Sequence, residues 1–275
     1  MDFFEYYRNM FFLGSKKEEQ VAELKKMQLF RVMRLKNFLE WLRTGQNVLV
    51  FAEKWADPWE RALFKQKIPC DGGYLNLSNF HYYGQCWTKK SDESEYMWRI
   101  YNEEKNICVR VEVNAYDLWS SFTEYVDEYF KKSCLSKSLC FCGNVKYLDE
   151  SELKEFLEQE SIEGRCYLKN FEQTLFVKRK NFSYENEFRI IFAPWGETCV
   201  NEAKNRNLFK FKMDASKIKS VLVQPFFNSN KEEREDVEML FELIKKRIAE
   251  NGVNCKIERS IIYDYPELNV KYSAK

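Results

Sequence analysis

Apolar positions recur along this chain with two periods. From Lys16 to Met27 the residues are mostly charged, with Val21, Leu24 and Met27 at helical spacing, and residues 1–26 read as helical. Leu29 to Met33 is short and β-capable. Asn37 to Arg43 predicts an amphipathic helix, which Gly45 can close in the left-handed conformation. Asn47 to Ala52 reads as a strand. Asp57-Pro58-Trp59-Glu60 has the chemistry of a helix start: Asp57 can accept orphan backbone N–H groups, Pro58 suits the first helical position, and Glu60 resembles the closing member of a capping box.

Further along, Tyr82 to Thr88 reads as a strand. A helix starting near Asp92 and Glu95 carries Tyr96, Met97, Trp98 and Tyr101. Asn106 to Val113 alternates apolar and polar residues with period two, as a half-buried strand does. Tyr116 to Lys132 predicts a long aromatic helix, Leu139 to Tyr147 a strand, and Glu150 to Glu160 a short acidic helix. Glu187 to Ala193, Leu208 to Met213 and Val221 to Gln224 read as strands. Lys231 to Glu250 places Val237, Leu240, Phe241, Ile244 and Ile248 on one helical face, with Gly252 beyond it. Cys255 to Ser260 predicts a last strand.

Strands and helices alternate irregularly, and no glycine-rich phosphate loop follows a strand, which argues against a doubly wound nucleotide fold. The pattern predicts an α+β fold: a single domain with a mixed or antiparallel sheet at its core. We read a helical N-terminal segment at 1–27, the α+β domain at 28–262 with a helical insertion at about 115–170, and a polar tail at 263–275.

The 275 residues hold 44 Lys and Arg against 43 Asp and Glu, a formal charge of +1, which argues against a chain wrapped in nucleic acid or lying flat on an anionic membrane. A local basic groove is compatible with it. No stretch reaches the roughly eighteen apolar residues of a membrane span. The aromatic N-terminus carries Asp2, Glu5 and Arg8, which breaks the apolar run of a secretory signal. A cytoplasmic protein is therefore expected, in which most of the nine Cys are small buried hydrophobes.

The sequence holds a single His, His81, set between Phe80 and Tyr82 and read as a packed side chain rather than a catalyst. Cys134, Cys140, Cys142 and Cys166 lack the paired spacing of a zinc site and read as buried thiols, so no metal is expected. The informative segment is Lys178 to Ile191. Glu185, Glu187 and Arg189 stand two apart, so on a strand two carboxylates and a guanidinium share one face. An exposed ion pair there would contribute little. The flanking Tyr184, Phe188, Ile190 and Ile191 instead anchor the strand in the core, where a site can be held accurately.

Upstream, Thr88 supplies a hydroxyl at a strand end, and Met97, Trp98 and Tyr101 form an aromatic wall that also reads as core packing. Arg31 lies inside the apolar strand Leu29 to Met33, where a cation either faces solvent or reaches a buried anion.

In this order, Arg31 with its basic strand, Ala56-Asp57-Pro58-Trp59-Glu60, Gln85-Cys86-Trp87-Thr88, Met97-Trp98-x-x-Tyr101, Asn106 to Val113 and Phe182-x-Tyr184-Glu185-x-Glu187-Phe188-Arg189 resemble a bacterial domain of unknown function, family 2971, across roughly 28–260. Ala56 replaces that family's usual Asn, and Cys86-Trp87-Thr88 its Ser-Phe-Ser. The same order is similar, more loosely, to the Arg–Ser–Glu layout of ADP-ribosyltransferases. That resemblance implies that Arg31 helps to hold NAD, that Thr88 supports the site, that Glu187 stabilises the positive charge developing as nicotinamide leaves, and that Glu185 orients the acceptor. Tyr184 or Trp98 would stack on nicotinamide, with Arg189 beside them. Because nicotinamide leaves as a neutral group, no general-acid His is required.

The expectation is an ADP-ribosyltransferase-like or NAD-glycohydrolase-like enzyme, of the toxin or phage-defence kind, with NAD as substrate and a protein or nucleic acid as acceptor. Two other readings stand beside it. Lys178, Arg179 and Lys180 next to Tyr184 suit a nucleic-acid-acting effector. The aromatic content suits a non-catalytic binding or sensor module, whose polar residues would be mutually paired with no open cavity around them.

Overall fold

The computed structural model describes residues 10–12, 18–70, 73–76, 81–101, 107–133, 139–162, 171–194, 207–225 and 231–264. In chain order the first elements are β1 (Met10–Phe12), α1 (Glu18–Lys26), β2 (Gln28–Arg34), α2 (Leu35–Thr44), β3 (Gln46–Phe51), the ribbon β4 (Lys67–Cys70) and β5 (Gly73–Asn76), β6 (Tyr83–Thr88) and α3 (Glu95–Tyr101). There follow β7 (Cys108–Asn114), α4 (Ala115–Ser133), β8 (Leu139–Asn144), β9 (Lys146–Leu148), α5 (Glu150–Ile162), α6 (Phe171–Thr174) and β10 (Val177–Arg179). The last are β11 (Glu187–Ala193), β12 (Leu208–Lys212), β13 (Ile218–Val223), α7 (Lys231–Glu250) and β14 (Lys256–Arg259).

The helix expected across 1–26 is confined to α1 among the described residues, and Met10–Phe12 instead pair antiparallel with β8 at the sheet edge. Residues 1–9, 13–17 and the tail from 265, like Cys134 and Cys166, lie outside the described residues. The stretch expected to insert helices holds α4 and α5, with β8 and β9 between them. Asp57 starts no regular helix. Its Oδ1 accepts the Trp59 N–H at 3.0 Å, as a cap does. The chain then runs through turns, with Arg61 N–H donating to Pro58 O and Phe64 N–H to Arg61 O. Glu60, needed to close the capping box, is drawn inward to an arginine instead.

Among the described residues the sheet has ten strands, with a central order β1-β8-β11-β6-β2-β7-β13-β14, and β12 joined through β3. Its pairs are antiparallel except β13 with β14. In β7 the expected alternation is realised, with Val109, Val111 and Val113 buried. Helix α4 brings Ala115, Leu118, Phe122 and Val126 to the same core, three or four positions apart on one helical face. Phe38 and Trp41 of α2 and Phe241, Ile244 and Ile248 of α7 complete it. Each large side chain so buried contributes about 1.5–3 kcal/mol.

The sheet forks at β6. Near its start β6 pairs with β3 through Gly84 and Val50, and near its end it pairs with β2 at one position, Thr88 opposite Phe30. On its other side Thr88 stands opposite Glu187, and Cys86 opposite Arg189. Phe30, Thr88 and Glu187 therefore form one row across three strands, and paired residues in a row share a face. Long-range pairing has thus brought three distant segments to one spot.

Candidate functional site

A cavity of about 480 Å³ opens over this row, within the range of small-molecule sites. Arg31, Thr88, Glu185, Glu187 and Arg189, five of the residues singled out in the sequence, all line it.

Glu185 is not on the strand. It ends a 3₁₀ turn (Lys180–Glu185), and Asn186 follows at φ 44°, ψ 55°, in the left-handed region that Asn tolerates better than most residues. The reversal still lets Glu185 and Glu187 converge, because both reach one ammonium: Lys178 Nζ lies 2.5 Å from Glu185 Oε2 and 2.9 Å from Glu187 Oε1. Lys178 comes from β10, which pairs parallel with β9 outside the main sheet. Thr88 Oγ1 donates to the Glu185 carbonyl at 2.6 Å and accepts from Lys90 N–H at 3.1 Å. Its hydroxyl thus holds the backbone that carries Glu185.

Arg189 is completely buried. Its Nε donates to Glu187 Oε2 at 2.6 Å, its Nη1 to Leu175 O at 2.7 Å, and its Nη2 to Glu60 Oε1. The Trp55 ring covers it, with Cζ 4.5 Å from the ring centroid. Both Glu187 oxygens are therefore paired, while Tyr147 Oη accepts the Glu187 backbone N–H at 2.8 Å.

These contacts set the charges. Burial alone would raise Glu187, but Arg189 first, then the hydrogen bond from Glu185 and Lys178, hold its carboxyl well below the usual range. Glu185 moves the other way: burial, with the hydrogen bond to Glu187, pushes it up to about 8. Glu60, Glu187, Lys178 and Arg189 then balance two against two, with Glu185 neutral at pH 7. Lys178 and Arg189 are held in their charged forms by these carboxylates, against the opposing effect of burial. Burial also pushes the Cys86 thiol far up, which makes it a poor nucleophile.

Arg31 lies across from Val111 in the β2–β7 register, on the face opposite Phe30, with its guanidinium 5.9 Å from the Trp87 ring centroid. It borders the cavity beside the single β2–β6 pair. Tyr184 does not itself line the cavity but meets Tyr96, which does: its hydroxyl donates to that of Tyr96 at 2.6 Å and the rings meet edge to face at 4.8 Å. Trp98 is not brought there. It is buried against Val32 and Cys108, and its Nε1 donates to Glu93 at 2.8 Å.

Four charged cavity residues, Asp57, Glu60, Lys178 and Arg179, carried no role in the NAD reading of the sequence. Asp57 and Glu60 read as caps, Lys178 and Arg179 as part of a basic run. A usable signal was that Lys178 directly follows the apolar Leu175-Phe176-Val177, a run that turns out buried. Among the described residues no group of His, Cys, Asp and Glu is arranged to hold a metal ion, and no helix is long and apolar enough to cross a membrane.

Fold and cavity together define an α+β protein, with a mostly antiparallel sheet, whose site is built on a buried network of paired charges. The family model described as "Protein of unknown function (DUF2971)" matches residues 97–190, about a third of the chain. That span contains both Met97-Trp98-x-x-Tyr101 and Tyr184-Glu185-x-Glu187-x-Arg189, so the resemblance to this family is shown there, over less of the chain than 28–260. No curated protein matched the sequence. Among solved structures, Thermus sp. 2.9 DarT in complex with NAD+ is similar at 13% identity and TM-score 0.28, covering 87% of this chain and 98% of that one. The same protein in complex with carba-NAD+ gives 12% and 0.28, with the same coverage. Its complex with ADP-ribosylated ssDNA gives 12% and 0.31, covering 87% of this chain and 96% of the other. Superpositions this loose carry no functional argument.

Proposed function

We propose that the chain cleaves NAD, as an ADP-ribosyltransferase or an NAD glycohydrolase, in this cavity. One observation carries the reading: Arg31, Thr88, Glu185, Glu187 and Arg189, drawn from three separate segments, border the same cavity. The mutual pairing of Glu185, Glu187, Lys178 and Arg189 would also suit a binding module, but the cavity they border favours an enzyme.

In this reading Arg31 engages the diphosphate and the carboxylates face the nicotinamide ribose. The bond between nicotinamide N1 and ribose C1′ breaks, and its electron pair neutralises the pyridinium. The cation left on the ribose lies against Glu187, which Arg189 and Lys178 hold ionised and oriented before any charge develops. A nucleophile, water or a group on a macromolecular acceptor, then bonds to C1′ and gives its proton to the ionised form of Glu185, whose share grows as pH rises toward about 8. Thr88 positions Glu185 through its backbone. Stacking on nicotinamide falls to Tyr184 with Tyr96 at the rim, and Trp98 supports β2 from behind. A chain that consumes NAD would harm the cell producing it, which extends the reading to a toxin or phage-defence effector acting in the cytoplasm.

The test is incubation of the purified chain with NAD and quantification of free nicotinamide, beside Glu187→Gln. Release by the wild type and its loss in the variant is the expected result. Equal turnover by both would assign the activity elsewhere, and no release by the wild type would return the site to the binding-module reading.

A further inference from the structure

Asp57 and Arg179 form an incomplete ion pair on the cavity wall. Arg179 Nη2 lies 3.0 Å from Asp57 Oδ1, yet Asp57 Oδ2 and Arg179 Nε are both buried without a hydrogen-bond partner. Arginine and carboxylate commonly pair through two parallel bonds, so one unused acceptor and one unused donor side by side are unusual. Both residues line the cavity, and the Asp57 side chain is only 4% exposed. Resting on the NAD reading, we propose that this pair is a subsite for a planar ligand edge that offers one donor and one acceptor, filled by the nicotinamide carboxamide. Its NH₂ donates to Asp57 Oδ2, and its C=O accepts from Arg179 Nε–H.

The adenine edge of the same dinucleotide has similar chemistry, and the network decides between them. Arg179 and Lys178 lie over the same Phe182 ring, 5.2 and 4.7 Å from its centroid, and Lys178 holds Glu185 and Glu187. Asp57 is on the turn that delivers Glu60 to Arg189, which holds Glu187. The subsite is thus next to the carboxylates, at the end where the glycosidic bond would be cleaved. Both unused atoms are closed off by their neighbours, so the ligand edge enters as Arg179 turns. Its side chain is 24% exposed and its guanidinium rests on the Phe182 ring, 5.2 Å from the centroid, so it can swing without leaving the cavity wall.

Asp57 then acts as a specificity residue, because its charge repels a ligand with a carboxylate in place of the carboxamide. Binding of NAD+, of its nicotinic acid analogue and of ADP-ribose is measured near neutral pH by calorimetry in the cold, for wild type and Asp57→Asn, with folding checked by circular dichroism. Asn keeps a capping oxygen for Trp59. The expected result is a preference of about tenfold or more for NAD+ in the wild type, narrowed to about threefold or less in Asp57→Asn, with ADP-ribose affinity unchanged. Arg179→Lys, which keeps the charge but not the guanidinium fork, loses NAD+ affinity by about tenfold and leaves ADP-ribose alone. If Asp57→Asn leaves the preference untouched, the subsite is overturned while the NAD reading stands. Weakening of ADP-ribose by the same factor as NAD+ moves the edge to adenine and overturns the carboxamide assignment. A wild type that binds neither dinucleotide overturns both.

Discussion

Arg189 and Glu187, two positions apart on β11, hold each other in the buried interior, with Nε donating to Oε2 at 2.6 Å and the guanidinium wholly out of water. The pair is asymmetric. Arg189 is also bound by Glu60 and a backbone carbonyl, and Glu187 also by Lys178. Glu187→Gln leaves Arg189 with Glu60 and Lys178 with Glu185 and Glu60, so it should fold with a loss of about 1–3 kcal/mol, the scale of a weakened charged hydrogen bond. Arg189→Met leaves Glu60 and Glu187 with Lys178 alone, 3.8 and 2.9 Å away, and should cost about 3–5 kcal/mol. Urea denaturation of both variants checks the order; a Glu187→Gln protein less stable than Arg189→Met would contradict it.

Activity and stability should move in opposite directions with pH. Glu185, pushed up to about 8 by burial and by Glu187, gains its basic form as pH rises toward that value, so nicotinamide release should climb from neutral to mildly alkaline pH. Its usual value is 4.5, so its contribution to stability is full below that pH and is lost as pH rises through about 8. Glu172, pushed up to about 7 by burial, acts in the same sense from 4.5 to about 7. Wild-type melting temperature should therefore fall between mildly acidic and mildly alkaline pH, less steeply in Glu185→Gln and in Glu172→Gln. Glu187, held low, contributes in the opposite sense, losing its stabilisation as pH drops below the ordinary carboxylate range.

The tyrosine pair at the rim gives a ligand phenotype without a large folding one. Tyr184 is half-buried and meets Tyr96 by one hydrogen bond and one edge contact. Tyr184→Ala should cost about 0.5–1.5 kcal/mol, the worth of a surface aromatic pair, rather than the ~3–5 kcal/mol of a core aromatic. Thermal melts with and without NAD should show a folded protein whose NAD-induced shift is reduced. An unchanged shift would remove Tyr184 from the binding surface.

Gly84 is fixed by its neighbours. A Cβ there would collide with the Trp55 ring and come 2.9 Å from Ile191 Cδ1. Trp55 is the ring that covers Arg189, so the close approach permitted by Gly84 shapes the cavity wall. Gly84→Ala should destabilise by about 1–3 kcal/mol as an overpacked core does, and should weaken NAD binding as Trp55 shifts. Calorimetry on the folded variant separates the two effects; full stability would show that Trp55 yields without strain.

Local chemistry made much of the molecule legible. The period-two pattern of β7 and the apolar face of α7 follow from residue spacing, because burial of one face sets those periods, whereas the strand Glu187–Ala193 is legible from its near-continuous apolar run and is buried on both faces. The Glu185–Glu187–Arg189 series was legible as chemistry in the same way. Its partners were not. Lys178 read as one of three basic residues, and Glu60 as a cap, because nothing local tells which carboxylate a buried cation will meet. Trp98 and Tyr184 are both aromatics near polar groups, and only the packing of Trp98 against Val32 and Cys108 separates the core ring from the rim ring. The row Phe30–Thr88–Glu187 and the fork at β6 depend on the register between strands far apart in the chain. The amino-acid order determined which groups could do chemistry and which faces would be buried. The tertiary structure decided which groups meet, because register and charge pairing are settled by contacts between distant segments as they leave water together.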